Sequence, residues 1–199
     1  MTCSGVPIPP DETSVRAACE KFDKEDAHQT EQALQELFNQ YRTNGDKPHV
    51  LLKVVALNRL YSAGIFDVHG MADRIHQQAG TIDAALAQGS PRIVDEIARF
   101  LLDKTGRKFY AFASKYCSWH NPGAYPIWDS NVCRYLSCLK DTPFAKPDYW
   151  ERYAQFVSLM AHFREHYKLD AFGFKEIDKF LWIYGAEPNN GETGDAASA

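Results

Sequence analysis

A chain of 199 residues with 45% hydrophobic content is long enough to bury a sizeable core and short enough that a single domain is the expectation. Apolar runs such as 54–57 and 109–113 fall far below the roughly 20 residues of a membrane-spanning helix, and residues 1–10 lack a basic head followed by an apolar stretch. A cytoplasmic protein without a membrane partner is expected. A net charge of −4 weighs against a general polyanion binder. The charge is uneven, however: acid gathers in 11–36, while 99–120 carries Arg99, Lys104, Arg107, Lys108 and Lys115 against Asp103 alone.

Taken in chain order, apolar residues recur at helical spacing, and no alternating strand pattern stands out. Residues 31–41 place Ala33, Leu34, Leu37, Phe38 and Tyr41 on one stripe, and 50–61 is apolar enough to lie deeper. A helix over 66–78 follows with Asp67 as its cap, and a shorter one opening at Thr81 is closed by Gly89. Pro91 starts a helix to Lys104, Thr105-Gly106 breaks it, and 107–119 resumes, which is the pattern of a helical hairpin. Asn121-Pro122-Gly123 ends that element, and Asp129 stands where an N-cap belongs, ahead of Val132, Tyr135 and Leu136. A loop at 143–147, a helix over 149–167 and a last helix over 174–184 complete the pattern. The reading is an all-α domain over 1–185 and a disordered acidic tail over 186–199, which has nothing to bury.

Five cysteines (Cys3, Cys19, Cys117, Cys133, Cys138) make an odd number, which fits reduced thiols better than a disulfide framework. Cys117, His120, Cys133 and Cys138 are the right residue types for zinc, but their spacing is irregular and Cys133 and Cys138 diverge around a helix, so no metal is expected.

The segment Leu102-Asp-Lys-Thr-Gly-Arg-Lys108, followed by a helix, a loop and Pro126-Ile-Trp-Asp129-Ser-Asn-Val132-Cys-Arg134, resembles the helix-hairpin-helix DNA glycosylase superfamily. In that family a hairpin of the form L-P-G-x-G-[RK]-K holds a DNA phosphate, and a later P-x-D-x-x-V-x-R stretch carries the catalytic aspartate. Leu102, Gly106, Arg107 and Lys108 keep the hairpin pattern, while Asp103-Lys104 replace Pro-Gly and one extra residue separates Pro126 from Asp129. Residues 51–61 and 177–185 are similar to the family's early and last core helices, so the likeness runs through roughly 30–185. Residues 112–129 look like a bacterial branch related to 8-oxoguanine glycosylases, and small glycosylases of this kind also act in phage defence. The resemblance implies a two-lobed helical bundle, a monomer, a double-stranded DNA partner and excision of a modified or damaged base. It implies no cofactor, since the closely spaced C-terminal cysteines of an iron–sulfur cluster are missing.

Breaking an N-glycosidic bond builds positive charge on the sugar, which a carboxylate beside C1′ stabilises; Asp129 is the candidate, with a purely structural N-cap as its other reading. A lysine attacking C1′ would add lyase chemistry, and Lys108 and Lys115 compete for that role or for gripping a phosphate with Gly106 and Arg107. Spacing of seven residues would put both lysines on one helical face. Trp119, His120 and Trp128, with Tyr116 and Tyr125 beside them, are candidates to wall a pocket for an extruded base, against ordinary core packing. Asn58, Arg59 and Tyr61 are candidates to fill the gap left in the duplex. A hairpin module that binds nucleic acid without catalysis, and a helical protein–protein adaptor, remain as alternatives.

Overall fold

The computed structural model describes residues 7–24, 26–140, 142–145 and 152–186. Eleven α-helices and a 3₁₀ turn account for its regular structure, with no strand among the described residues. The all-α expectation holds, and no described helix is long and apolar enough to cross a membrane. An unanticipated helix comes first. Asp11 and Ser14 bond reciprocally to each other's backbone N–H, a capping box that starts α1 (Glu12–Phe22), whose Val15 and Ala18 bury against the last helix. The acidic composition of this stretch concealed it.

Helix α2 (Asp26–Gln40) starts five residues earlier than expected and buries Leu34 and Phe38. Asp46 caps α3 (Lys47–Leu60), Asp67 caps α4 (Val68–Gln77) through the Gly70 N–H, and Gly89 at φ 66° ends α5 (Ala79–Gln88). The helix expected over 91–104 is two pieces, α6 (Arg92–Ala98) and a single turn, α7 (Leu102–Thr105). The chain bends at Leu101 to bury that side chain, at 1% exposure. Gly106 then adopts φ 66°, and the Phe109 N–H donates to the Ala98 carbonyl at 2.8 Å, tying α6 to the start of α8 (Tyr110–His120). The hairpin's second helix therefore begins three residues after Arg107. Beyond it come α9 (Ser130–Cys138), the 3₁₀ turn Pro143–Ala145, α10 (Tyr153–His166) and α11 (Phe174–Ala186). Residues 146–151, where the expected α10 start falls, and residues 187–199 of the expected tail lie outside the described residues; Ala186 itself ends α11.

One contiguous apolar core runs from Val15 to Ile183. Helices α1, α9 and α11 pack together, as do α2, α3, α4 and α8, with α6 against α8. Helix α11 approaches the first turn of α9 closely. A Cβ added at Gly185 would stand 2.1 Å from the Asn131 carbonyl oxygen, and the Gly185 carbonyl accepts from Arg134 Nη1 at 2.6 Å. The reduced-thiol expectation is corrected at one position: Cys138 is disulfide-bonded, while Cys19, Cys117 and Cys133 are free.

Gly185→Ala is expected to force α11 off α9 and cost about 2 kcal/mol or more. Gly80→Ala, in a helix with nothing within 4 Å of the new Cβ, should be neutral or add up to about 1 kcal/mol. Urea midpoints of the two variants check this, and equal shifts would refute the close approach.

Candidate functional site

Helix α8 is buried along its length from Phe112 to Trp119, so its lysine at 115 is carried inward, to 7% exposure. The strand-like approach to α9 is pinned to the same helix: Trp128 N–H donates to Ser114 Oγ at 3.0 Å, and Tyr153 Oη donates to the Pro126 carbonyl. This delivers Asp129, extended at φ −136°, to the head of α9. One carboxylate oxygen, Oδ1, accepts from the Asn131 and Val132 N–H groups at 3.0 and 3.1 Å. The other, Oδ2, accepts from Lys115 Nζ at 2.8 Å. Asp129 is both the N-cap and half of a buried ion pair. Lys115 Nζ also stands 4.8 Å over the Tyr61 ring.

The pair opens onto a cavity of about 420 Å³, which Asp129 and Lys115 line together with Tyr61, Ile127 and Asn131. Its opposite wall comes from α2 and α11: Glu31, Lys175, Asp178, Lys179 and Trp182. Lys179 bridges Glu31 at 2.8 Å and Asp23 at 3.2 Å, and Lys175 reaches Glu31 at 3.4 Å while its ammonium lies 3.2 Å from the Trp119 ring centroid. Burial, and then the neighbouring Asp129, push the Asp178 carboxyl up to about 8 against the opposing pull of Lys115 and Lys175. Burial lowers Lys175. Asp23, His28 and Glu31 bring potential ligand atoms within 4.8 Å of one another, but the Lys179 ammonium already occupies the two carboxylates.

The sequence candidates divide sharply. Lys115, Asp129 and Tyr61 meet at the cavity. Lys108 does not: it precedes the start of α8 and is exposed on the hairpin turn, so the shared-face expectation fails because the residues between 106 and 110 are not helical. Arg107 is exposed beside it, its guanidinium 5.6 Å over Phe109, and Gly106 supplies the left-handed turn. Asn58 is not available to enter a duplex, because its amide clamps the Ile65 backbone in both directions, at 2.8 and 2.9 Å. That clamp holds a loop containing Ser62 and Gly64 at positive φ and leaves Phe66 94% exposed; Arg59 is exposed nearby on α3. Trp128 points away from the cavity, stacked on Tyr110 at 4.5 Å and on Phe156 at 5.4 Å. Trp119 contributes only the ring beneath Lys175, and Tyr116 and Tyr125 belong to the core.

His120 belongs to a different network. Fully buried Lys53 donates to the Tyr41 and Thr43 carbonyls, to Asn44 Oδ1 at 2.8 Å and to His120 Nε2 at 3.2 Å. Burial, with the Lys53 charge adding to it, lowers the imidazole to about 3, so His120 is a neutral acceptor holding α8 to α3 through Lys53.

A family model, HI_0787_N, described as an N-terminal domain, matches residues 14–124. The chain belongs to the HI_0787_N family. A similar protein is an uncharacterized protein of Haemophilus influenzae strain Rd, 34% identical over 134 residues, which cover 65% of this chain and 63% of that one. The chain thus spans somewhat under two thirds of that relative's length. No solved structure matches. The family segment includes Glu31, Tyr61 and Lys115, whereas Asp129, Lys175 and Asp178 lie beyond it, so the cavity of this family member is built from both sides of that boundary.

Glu31, Lys175 and Asp178 escaped the sequence reading. A signal existed for one of them: Asp178 is a carboxylate set between Ile177 and Leu181, both buried. The buried Lys53–His120 contact carries its own pH signature. His120 titrates near 3 when folded and near 6.5 when free, so the unfolded chain binds the extra proton between those values and stability falls as pH drops through them. Lys53, lowered by burial to about 8 from 10.5, makes stability rise as pH climbs from 8 to 10.5. Denaturant midpoints should therefore decline between pH 6.5 and pH 4, and His120→Gln should flatten that decline; an unchanged slope would contradict the assignment.

Proposed function

We propose that the cavity is the base-receiving site of a DNA glycosylase of the helix-hairpin-helix kind, which extrudes a modified or damaged base from duplex DNA and cleaves its N-glycosidic bond. The single observation that carries this reading is the Lys115 Nζ to Asp129 Oδ2 contact of 2.8 Å at the wall of a cavity of about 420 Å³, a size within the roughly 300–1,000 Å³ of small-ligand sites. The carboxylate stabilises the sugar cation and orients water at C1′, and Lys115 fixes the carboxylate. Helices α1, α9 and α11 pack as one group and α2, α3, α4 and α8 as another, and residues of both groups line the cavity, which supports a two-lobed reading. The Gly106 turn with exposed Arg107 and Lys108 is the phosphate grip, and Phe66 takes the place of Asn58 as the wedge beside the extruded base. Repair of damaged bases and removal of modified cytosine from phage DNA both use this chemistry.

A hairpin module that binds DNA without cleaving it is the second reading. It is favoured by the departure at Asp103-Lys104, where Lys104 is paired to Asp67 at 2.9 Å and Asp103 to Arg74 at 3.3 Å, which lowers the hairpin's free positive charge.

Asp129→Asn separates the two. Asparagine retains the cap, because its carbonyl oxygen still accepts from Asn131 and Val132, but removes the charge. Wild type is expected to release a free base from at least one member of a panel of modified duplexes, detected by mass spectrometry. The variant should lose that release by about 10²-fold or more while keeping DNA affinity. Salt-dependent binding with no release by wild type would establish the module reading instead. Lys108→Ala should weaken binding to all duplexes alike and reduce the salt slope by about one, leaving turnover of bound substrate intact. Borohydride should trap no adduct on abasic DNA, since Lys115 is committed to Asp129; an adduct lost in Lys115→Ala would add a lyase step.

A further inference from the structure

Asp178 lines the cavity without an assigned task. It lies on α11 between Ile177 and Leu181 and contributes to the wall facing Lys115 and Asp129. Among the described residues, no donor bonds to its carboxyl. An acid in so confined a place is costly unless it is neutral or finds a partner, and the cavity that Asp178 lines gives a partner room to reach it. The groups that face it come from every neighbouring element: Glu31 from α2, Tyr61 after α3, Lys115 from α8, Asp129 at the head of α9, Tyr153 from α10, and Lys175 with Lys179 on α11 itself.

We propose that Asp178 is the second carboxyl of the reaction, a carboxylic acid that passes its proton to the departing base while Asp129 stands ionised beside the sugar. This rests on the glycosylase reading of the cavity and deepens it. Two carboxyls near one ammonium in a confined site are driven apart in character by whichever is better bonded. Asp129 has Lys115 and two backbone N–H groups; Asp178 has none of these, and its titration near 8 leaves it largely protonated at neutral pH.

The step balances without an oxidant or reductant. The C1′–N bond breaks with its electron pair passing to the base, and the Asp178 proton moves to an acceptor nitrogen or oxygen on that base, which leaves neutral. Water held by Asp129 adds its oxygen to C1′, and the proton it sheds returns to the Asp178 carboxylate. The substrate class follows: a base that starts neutral and needs a proton to leave, rather than a cationic alkylated base that departs without one.

Single-turnover base release by the full chain, measured from pH 6 to pH 10 on the best duplex of the panel, tests the assignment. Wild type should lose about tenfold per pH unit above about 8. Asp178→Asn and Asp178→Ser should each be slower by about 10²-fold or more at pH 7 and should lack this alkaline limb. Rates within threefold of wild type, an alkaline limb that persists in a variant that melts like wild type, or a wild-type rate level to pH 9.5 would each overturn the role of Asp178. Those results leave the glycosylase reading standing. Absence of release by wild type from every duplex removes that reading itself, and this inference with it.

Discussion

The site depends on one contact, the ion pair between Lys115 and Asp129. It joins the middle of α8 to the first turn of α9, and it does so at a point where both partners are less than a tenth exposed. Removing either partner from such a pair leaves a buried charge unmatched, at a cost of several kcal/mol. The surroundings share that cost: two backbone N–H groups complete the carboxylate, and the Tyr61 ring lies beneath the ammonium. The arrangement therefore combines a structural joint with a charge presented at the wall of an open cavity. A carboxylate used only as a helix cap would not need the lysine.

Around that joint the cavity is electrostatically mixed rather than simply basic. Lys115, Lys175 and Lys179 face Asp129 and Glu31, with Asp178 as a third acid. On the glycosylase proposal, such a site would take in a neutral, polar, planar group while exposed cations near it hold a phosphate strand, despite the net charge of −4 over the whole chain. The exposed cations at Arg107 and Lys108 sit on a turn leading into the same helix that carries Lys115, so phosphate contact and chemistry would be coupled through one rigid element.

Much of this was legible before the coordinates. Asp129 was recognisable as an N-cap from its place ahead of Val132, Tyr135 and Leu136, and the Gly106 turn from the interruption between two apolar runs. Helical phase does not continue through 107–109: Lys108 lies in that non-helical stretch, so it is not placed on the face of α8 that carries Lys115. His120, Trp119 and Trp128 looked like pocket walls because they cluster in sequence, yet the backbone sends two of them into the core and the third to Lys53. Glu31 and Lys175 are separated by 144 residues and meet only in the fold, so no local spacing could have paired them. Asp178 sits between buried apolar residues in sequence, but its meaning comes from Asp129 and Lys115, which other elements bring to it.

Membership of the HI_0787_N family accounts for the helices up to α8, and the remaining half of the cavity is supplied by the chain beyond residue 124. The central claim is that this composite face, and not another, receives DNA. Hydrogen–deuterium exchange of the full chain, with and without a duplex carrying a stable abasic-site analogue, measures that directly. Slowed exchange is expected at 61–66, at 105–109 and at 127–131, which hold the wedge, the hairpin turn and the approach to Asp129. Protection confined to other surfaces, or no protection at low salt, would contradict the account.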